Sequence, residues 1–276
     1  MSLYLDEALE MEKIIANADI LSTVGFQQRF ETRNEAVKSF LADKQVVMAD
    51  YTLHAPLEAH SVKHMQTETV GGPKNRVWTA SRAWSGGTMV EAGIHPLDLW
   101  RYWFGDVEWV QASYVHRPPE AIIDGADNPY AYDATFGFAN GAIGNLTLSR
   151  LRRVFHSDFA HRVLWDEGHL HLDQDEFVSY HYDGDYPPAQ RPDPASLRSV
   201  LPVAPARNST DAIADAFVRA IAEDRPELIR SPFGDAMNSL AAVIGANISD
   251  ELGGMRIQLH DLLNADQFSE HRRKPE

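Results

Sequence analysis

Between Val107 and Tyr182 the chain reads as one strand after another, and this run constrains the fold more than anything else in it. Six stretches carry the alternating, β-branched and aromatic-rich pattern of half-buried strands: Val107–His116, Ala131–Ala139, Ala142–Arg150, Phe159–Trp165, His169–Asp173 and Glu176–Tyr182. Asn140-Gly141 separates two of them and is a strong hairpin signal, and Asp166-Glu167-Gly168 reads as a second hairpin turn. Strands joined this way pair antiparallel, and such a sheet can leave one face to solvent.

Helical spacing frames the run. Residues 3–18 place Leu5, Ala8, Leu9, Met11 and Ile15 on one helix face. Glu31–Lys44 carries Val37, Phe40 and Leu41 at the same period, between strand-like Ile20–Phe26 and Gln45–Ala55, an order that suggests an α/β unit. After a proline-rich, polar stretch over 183–207, Asp211–Glu223 reads as a helix capped by Ser209 or Thr210. Ser231-Pro232 opens another, which Gly253-Gly254 closes, and Met255–Leu259 is a last strand. Residues 56–87 read as irregular, with a turn at Gly71-Gly72-Pro73. The fold class expected is α+β: an open, mostly antiparallel sheet with helices on one face.

One helix, from Gly86-Gly87 to Gly105, carries candidate chemistry. Its apolar residues Met89, Leu97, Trp100 and Phe104 recur at helical spacing, and Glu91, His95 and Asp98 stand at i, i+4 and i+7 on one face. A carboxylate beside an imidazole raises its pKa and suits it to proton transfer near neutral pH. The same spacing also describes the solvated face of an amphipathic helix. Gly93 and Pro96 are poor residues for a helix interior, which tilts the reading toward a site. Arg29 closes a strand-like run and either enters a cleft or is solvated.

Other clusters carry less. His169, His171 and Asp173 share a strand face, yet sheet-face histidines are commoner than ligands in that pattern. His54, His60 and His64 do not match a metal-binding helix. Trp100, Tyr102, Trp103 and Trp109 read as core and sheet contacts, and Arg150, Arg152 and Arg153 as a surface cluster or ion-pair partners. A net charge of −15 argues against nucleic-acid and anionic-membrane partners, and the lack of cysteine excludes disulfides and thiolate chemistry. No run is apolar enough to span a bilayer and no secretory signal is legible, so a cytoplasmic location is expected. No two of the 17 glycines are separated by a single residue, so no Gly-x-Gly-x-x-Gly phosphate cradle exists.

Gly86-Gly87, Glu91, Gly93-Ile94-His95-Pro96-Leu97-Asp98 and Trp103-Phe104-Gly105 together resemble the signature of the glucose–fructose oxidoreductase/inositol dehydrogenase (Gfo/Idh/MocA) family. Val24–Phe30 resembles the family's segment after its nucleotide domain, and Asp166–Leu172 its turn-and-strand. The resemblance implies an N-terminal Rossmann domain binding NAD or NADP, then a substrate domain built on a large sheet. A Glu-Lys-Pro segment, whose lysine works at the nicotinamide, links the two. Residues after that proline usually read like Leu3-Tyr4-Leu5-Asp6-Glu7-Ala8, so the chain is expected to be one substrate domain over 1–276. Residues 1–26 would then be the segment that follows an absent nucleotide-binding domain.

By the same resemblance His95 is the acid/base, Glu91 orients it or balances its charge, and Asp98 binds substrate hydroxyls; Arg29, where it enters the cleft, is the second substrate-binding candidate. The family commonly has aspartate where Glu91 stands, and one methylene moves a carboxylate by about 1.5 Å. The activity implied is the substrate half of an NAD(P)-dependent oxidoreductase acting on a sugar, polyol or related hydroxyl/carbonyl compound, inactive alone because the cofactor is not held by this chain. The partners implied are a small sugar-like molecule, further copies of the chain through the sheet face and a separate nucleotide-binding chain. The alternatives are a non-catalytic ligand-binding or regulatory module, or a cofactor-independent lyase or isomerase.

Overall fold

The computed structural model describes residues 2–56, 78–122, 125–151, 158–173, 176–182, 184 and 192–274. The helices are α1 (Leu5–Asn17), α2 (Thr32–Leu41), α3 (Arg82–Ser85), α4 (Thr88–Glu91), α5 (Ile94–Phe104), α6 (Ser209–Ala222), α7 (Phe233–Glu251), α8 (Leu259–Asn264) and α9 (Ser269–Arg272). The strands are β1 (Val46–Pro56), β2 (Val107–Val115), β3 (Ala131–Phe138), β4 (Ile143–Leu151), β5 (Asp158–Trp165), β6 (Gly168–Leu172), β7 (Phe177–His181), β8 (Arg198–Val200) and β9 (Ile257–Gln258).

All nine join one sheet in the order β8-β7-β6-β5-β1-β4-β3-β2-β9. Every pair is antiparallel except β1 with β4. The expected α+β class and open antiparallel sheet are thus present. Alternation sorts the side chains: Leu146 and Leu148 of β4, Tyr132, Ala134 and Phe136 of β3, and Val163 and Trp165 of β5 are buried under the helices. The positions between them form an opposite face that is exposed or half-buried. There Asn145 donates to Asp50 (3.2 Å) and accepts from Thr135 (3.2 Å), a polar row across three strands.

Several expectations need correction. Ile20–Phe26 is no strand: it lies outside the sheet and ends in a turn in which the Phe26 N–H donates to the Val24 carbonyl (2.7 Å). The Val24 N–H donates to the Ser231 carbonyl (2.8 Å) and the Ser231 hydroxyl to the Val24 carbonyl (2.8 Å), which satisfies the backbone without a ladder. The expected α/β unit is therefore not formed, and β1 instead enters the middle of the antiparallel sheet. Asn208, not Ser209 or Thr210, caps α6, accepting from the Thr210 and Asp211 N–H groups (3.0 and 3.2 Å). Ser231 does not cap α7, since Pro232 occupies that position and the Ser231 hydroxyl is bound to Val24. The last strand is only Ile257–Gln258, and the chain returns to helix at α8. The glycine closure of α7 is as expected, with Gly253 and Gly254 at φ 70° and 84°. Gly71-Gly72-Pro73, His60, His64, Arg152 and Arg153 lie outside the described residues.

The central helix is two helices. α4 ends at Glu91 and α5 starts at Ile94. A Cβ on Gly93 would lie 2.5 Å from the Met89 carbonyl oxygen, so only glycine fits the break. Pro96 falls in the first turn of α5, where an N–H has no intrahelical partner to lose. Both residues that looked costly in a continuous helix sit where they cost little.

Trp100, fully buried on α5, lies flat enough on β4 that a Cβ on Gly144 would meet its ring at 2.6 Å. Gly144→Ala over-packs this contact. The expected loss is about 1–3 kcal/mol, read as a lower urea midpoint at unchanged slope.

Candidate active site

A cleft of about 450 Å³ opens where α2, the α4–α5 break and the β1–β5 side of the sheet meet. One wall is Gln28, Glu31, Arg33 and Asn34; another is Glu91, Ala92, His95, Pro96 and Leu99; the sheet supplies Tyr51, Leu53, Arg150, Phe159, His161, Leu172, Asp173 and Phe177. Polar groups alternate with aromatic and aliphatic surface around it.

His95 and Glu91 are brought together on this cleft, although they belong to two helices rather than one. Burial lowers the His95 pKa, against an opposing pull from Asp98. The expectation of a raised imidazole pKa is corrected: desolvation outweighs the carboxylate. His95 Nδ1 is sealed from solvent with no hydrogen-bond partner, so the ring meets the cleft through Nε2. The ring also stands edge-on to Phe26 at 6.4 Å.

Asp98 and Arg29, expected to bind substrate, are placed elsewhere. Asp98 is 2% exposed and Arg29 4%, and neither lines the cleft. Arg29 grips Asp98 with two parallel bonds, Nε to Oδ2 (2.7 Å) and Nη2 to Oδ1 (2.6 Å). The Ser239 hydroxyl donates to Asp98 Oδ1 at 2.9 Å, so both carboxylate oxygens are engaged by protein. Burial acts to lower the Arg29 pKa, but Asp98 and Asp235 outweigh it and raise it. The pair ties the 27–30 turn to α5 and α7 directly behind His95.

Arg150 is not a surface residue: it is 7% exposed, donates Nε to Thr88 Oγ1 (3.1 Å) and reaches the cleft. Trp100 and Trp103 are core residues as expected. Trp109 lies half-buried on the sheet beneath Arg256, 4.0 Å from its ring centre. His169 and His171 share the open sheet face, rings 4.9 Å apart, and His54 Nδ1 bonds Ser149 Oγ at 3.0 Å. Among the described residues no group of three His, Asp or Glu side chains could hold a metal ion. No described helix is long and apolar enough to cross a membrane.

Tyr51, Phe159 and His161 went unread in the sequence. They become cleft residues only because β1 lies beside β5, where Tyr51 faces His161 across the ladder. The one local signal was the Phe159–His161–Val163 alternation, which marks a face but not what covers it.

Residues 56–171 match the family model described as the GFO/IDH/MocA C-terminal domain. A search of curated protein sequences gives no match. Among solved structures, an oxidoreductase from Agrobacterium radiobacter in complex with NAD+, L-tartaric acid and magnesium is 18% identical, with a TM-score of 0.69 over 94% of this chain and 71% of that one. UDP-N-acetylglucosamine 3-dehydrogenase from Acidithiobacillus ferrooxidans is 19% identical, with a TM-score of 0.66 over 91% and 69%. An NAD binding oxidoreductase from Klebsiella pneumoniae is 16% identical, with a TM-score of 0.67 over 94% and 71%. At these identities the likeness is one of fold.

His161 yields a stability prediction. Burial, with a smaller repulsion from Arg33, pushes its pKa down to about 3. The unfolded ring takes its proton near pH 6.5 while the folded ring does not, so stability falls as pH drops from about 6.5 toward about 3. This ring contributes a slope of at most about 1.4 kcal/mol per pH unit. Urea melts across that range should show a shallower fall for His161→Phe than for the wild type.

Proposed function

We propose that this chain, which carries a Gfo/Idh/MocA C-terminal domain over residues 56–171, is the substrate and acid/base half of an NAD(P)-dependent oxidoreductase acting on a sugar, polyol or related hydroxyl/carbonyl compound. The observation that carries the reading is His95. Half-buried and neutral, with one nitrogen sealed and the other facing a polar cleft, it is placed to take the proton from a ligand hydroxyl, or return it to a carbonyl oxygen.

The cleft suits such a ligand. Its volume falls within the roughly 300–1,000 Å³ of small-molecule sites. Gln28 and Arg33 offer donors, Glu31, Glu91 and Asp173 offer acceptors, and Tyr51, Phe159 and Phe177 offer apolar faces for ring carbons; the Asn34 amide is spent on the Gln28 carbonyl and Glu31 (2.9 and 3.1 Å). Glu91, which shares the cleft with His95, is assigned the part of orienting the imidazole or balancing its charge as the proton moves. Asp98 and Arg29 hold the helix that carries His95, and the Asp98 charge opposes the lowering of the His95 pKa by burial.

The described residues do not fit a dinucleotide cofactor. They contain no strand–glycine turn–helix unit, and the sequence has no Gly-x-Gly-x-x-Gly. The reading therefore gives this chain's residues the ligand and the proton. The nicotinamide, as hydride carrier, belongs to a nucleotide-binding unit, for which a separate chain is one source. The open sheet face, which presents Ile143, Leu151 and Val200 beside its polar row, is read as the contact between copies of the chain.

Calorimetric titration with myo-inositol and D-glucose tests the ligand reading. Binding is expected, weakened about tenfold in Glu91→Gln, the equivalent of about 1.4 kcal/mol. NADH fluorescence should not change on adding the chain. Micromolar NADH binding would overturn the assignment of the cofactor to another unit, and absence of any sugar or polyol binding would overturn the ligand class. Sedimentation velocity should show a dimer or larger that Ile143→Lys weakens; a clean monomer across a wide concentration range removes the assembly.

A further inference from the structure

His161 is a buried titratable group that the acid/base reading leaves unused. It sits on β5 with its ring 5.4 Å from that of Trp103 and nearly parallel to it (26°), and edge-on to Tyr51 at 5.2 Å. The Trp100 indole N–H donates to His161 Nε2 at 2.9 Å. An indole nitrogen can only donate, so Nε2 must present its lone pair, and a neutral imidazole with a bare Nε2 carries its hydrogen on Nδ1. Turning the ring over would leave the buried Trp100 N–H without an acceptor, a costly loss. The tautomer is therefore set by the core.

That leaves Nδ1–H. Among the described residues it has no hydrogen-bond partner, and the ring, though only 6% exposed, lines the cleft. We propose that His161 is a ligand-reading residue: its Nδ1–H, aimed by Trp100, donates a hydrogen bond to a hydroxyl or carbonyl oxygen of the molecule seated beside His95. The inference rests on the reading of the cleft as a sugar or polyol site and goes beyond it by assigning one oxygen a fixed donor.

The environment keeps the donor constant. Arg33 disfavours a second proton on the ring, as burial does. The other ionisable groups on the cleft are Tyr51, Arg150, Glu31, Glu91, Asp173 and His95. Two histidines thus face one cavity through opposite nitrogens. His95 offers Nε2 and can exchange a proton; His161 offers Nδ1–H and cannot. A ligand lacking an acceptor oxygen at that point leaves a buried donor unpaired, so His161 discriminates against deoxy and ammonium analogues there. Trp100 is a positioning residue for this contact.

Ring nitrogen NMR of histidine-labelled protein tests the assignment, with the His161 signals identified by their loss in His161→Phe. The expected state is Nδ1 protonated and Nε2 bare, unchanged from about pH 5 to 8. Trp100→Phe, at unchanged circular dichroism, should shift the ring toward the Nε2–H form. Saturating myo-inositol or D-glucose should move the Nδ1 resonance, and His161→Phe should weaken their binding about tenfold. An Nε2–H tautomer in the wild type, or titration near pH 6.5, overturns the proposal. So does an Nδ1 signal that stays still while the Gln28 and Asn34 side-chain amides shift. If nothing in the cleft responds, the sugar and polyol reading falls and takes the contact with it, whatever the tautomer. In the wild type the His161 ring is also identified by the coupling between the Trp100 indole N–H and the ring nitrogen that accepts it, so a misfolded variant leaves these readouts standing.

Discussion

The buried pair of Arg29 and Asp98 is the interaction on which the site depends. Two charges removed from water are costly, and their attraction repays this only when geometry is good and the remaining hydrogen-bonding capacity is filled. Here it is filled: Ser239 donates to the carboxylate, and Arg29 also donates to the Arg230 carbonyl. One guanidinium thereby joins the turn at 27–30, helix α5 and the start of α7. Because that turn has no strand to hold it, the pair fixes the wall that carries Gln28 and Glu31 against the helix that carries His95. Its partners leave Asp98 no free oxygen for a ligand, so it acts on the cleft by position and through the charge that His95 feels.

A second constraint is steric. Trp100 approaches β4 over Gly144, Met89 and Leu146 crowd Gly93, and the sheet thus sets both the height of α5 and the break before it. The same Trp100 presents its indole N–H to His161. A core contact and a cleft contact are made by opposite parts of one side chain, and the packing that seats the helix also orients a polar ring in the cavity.

The strands from Val107 onward were legible because alternation and the Asn140-Gly141 turn act locally. The His95 helix was legible for the same reason, in residues rather than in shape: Gly93 and Pro96 marked the place where it breaks, yet only the Met89 carbonyl shows why. The partners of Asp98 were not legible. Arg29 is 69 residues away, and spacing along one helix says nothing about what an acid meets across it. Burial, too, reversed an argument made from spacing, since desolvation of His95 outweighs its carboxylate neighbour. Tyr51 and His161 needed the position of β1 in the sheet, which no local pattern encodes.

That position has a consequence for the order of events in folding. β1 is the first strand in the chain but lies between β4 and β5, and its His54 meets Ser149 from 95 residues away. Loop closure over such a distance has to occur before its contacts can reward it, which slows folding relative to hairpins formed by neighbours. During synthesis β1 emerges with both edges bare and no partner until β4 and β5 follow. The hairpin of β3 and β4 can close early, whereas the cleft, which draws on β1 and β5 alike, can take shape only once the sheet's middle has been filled. The candidate site is then among the last parts of the molecule to exist.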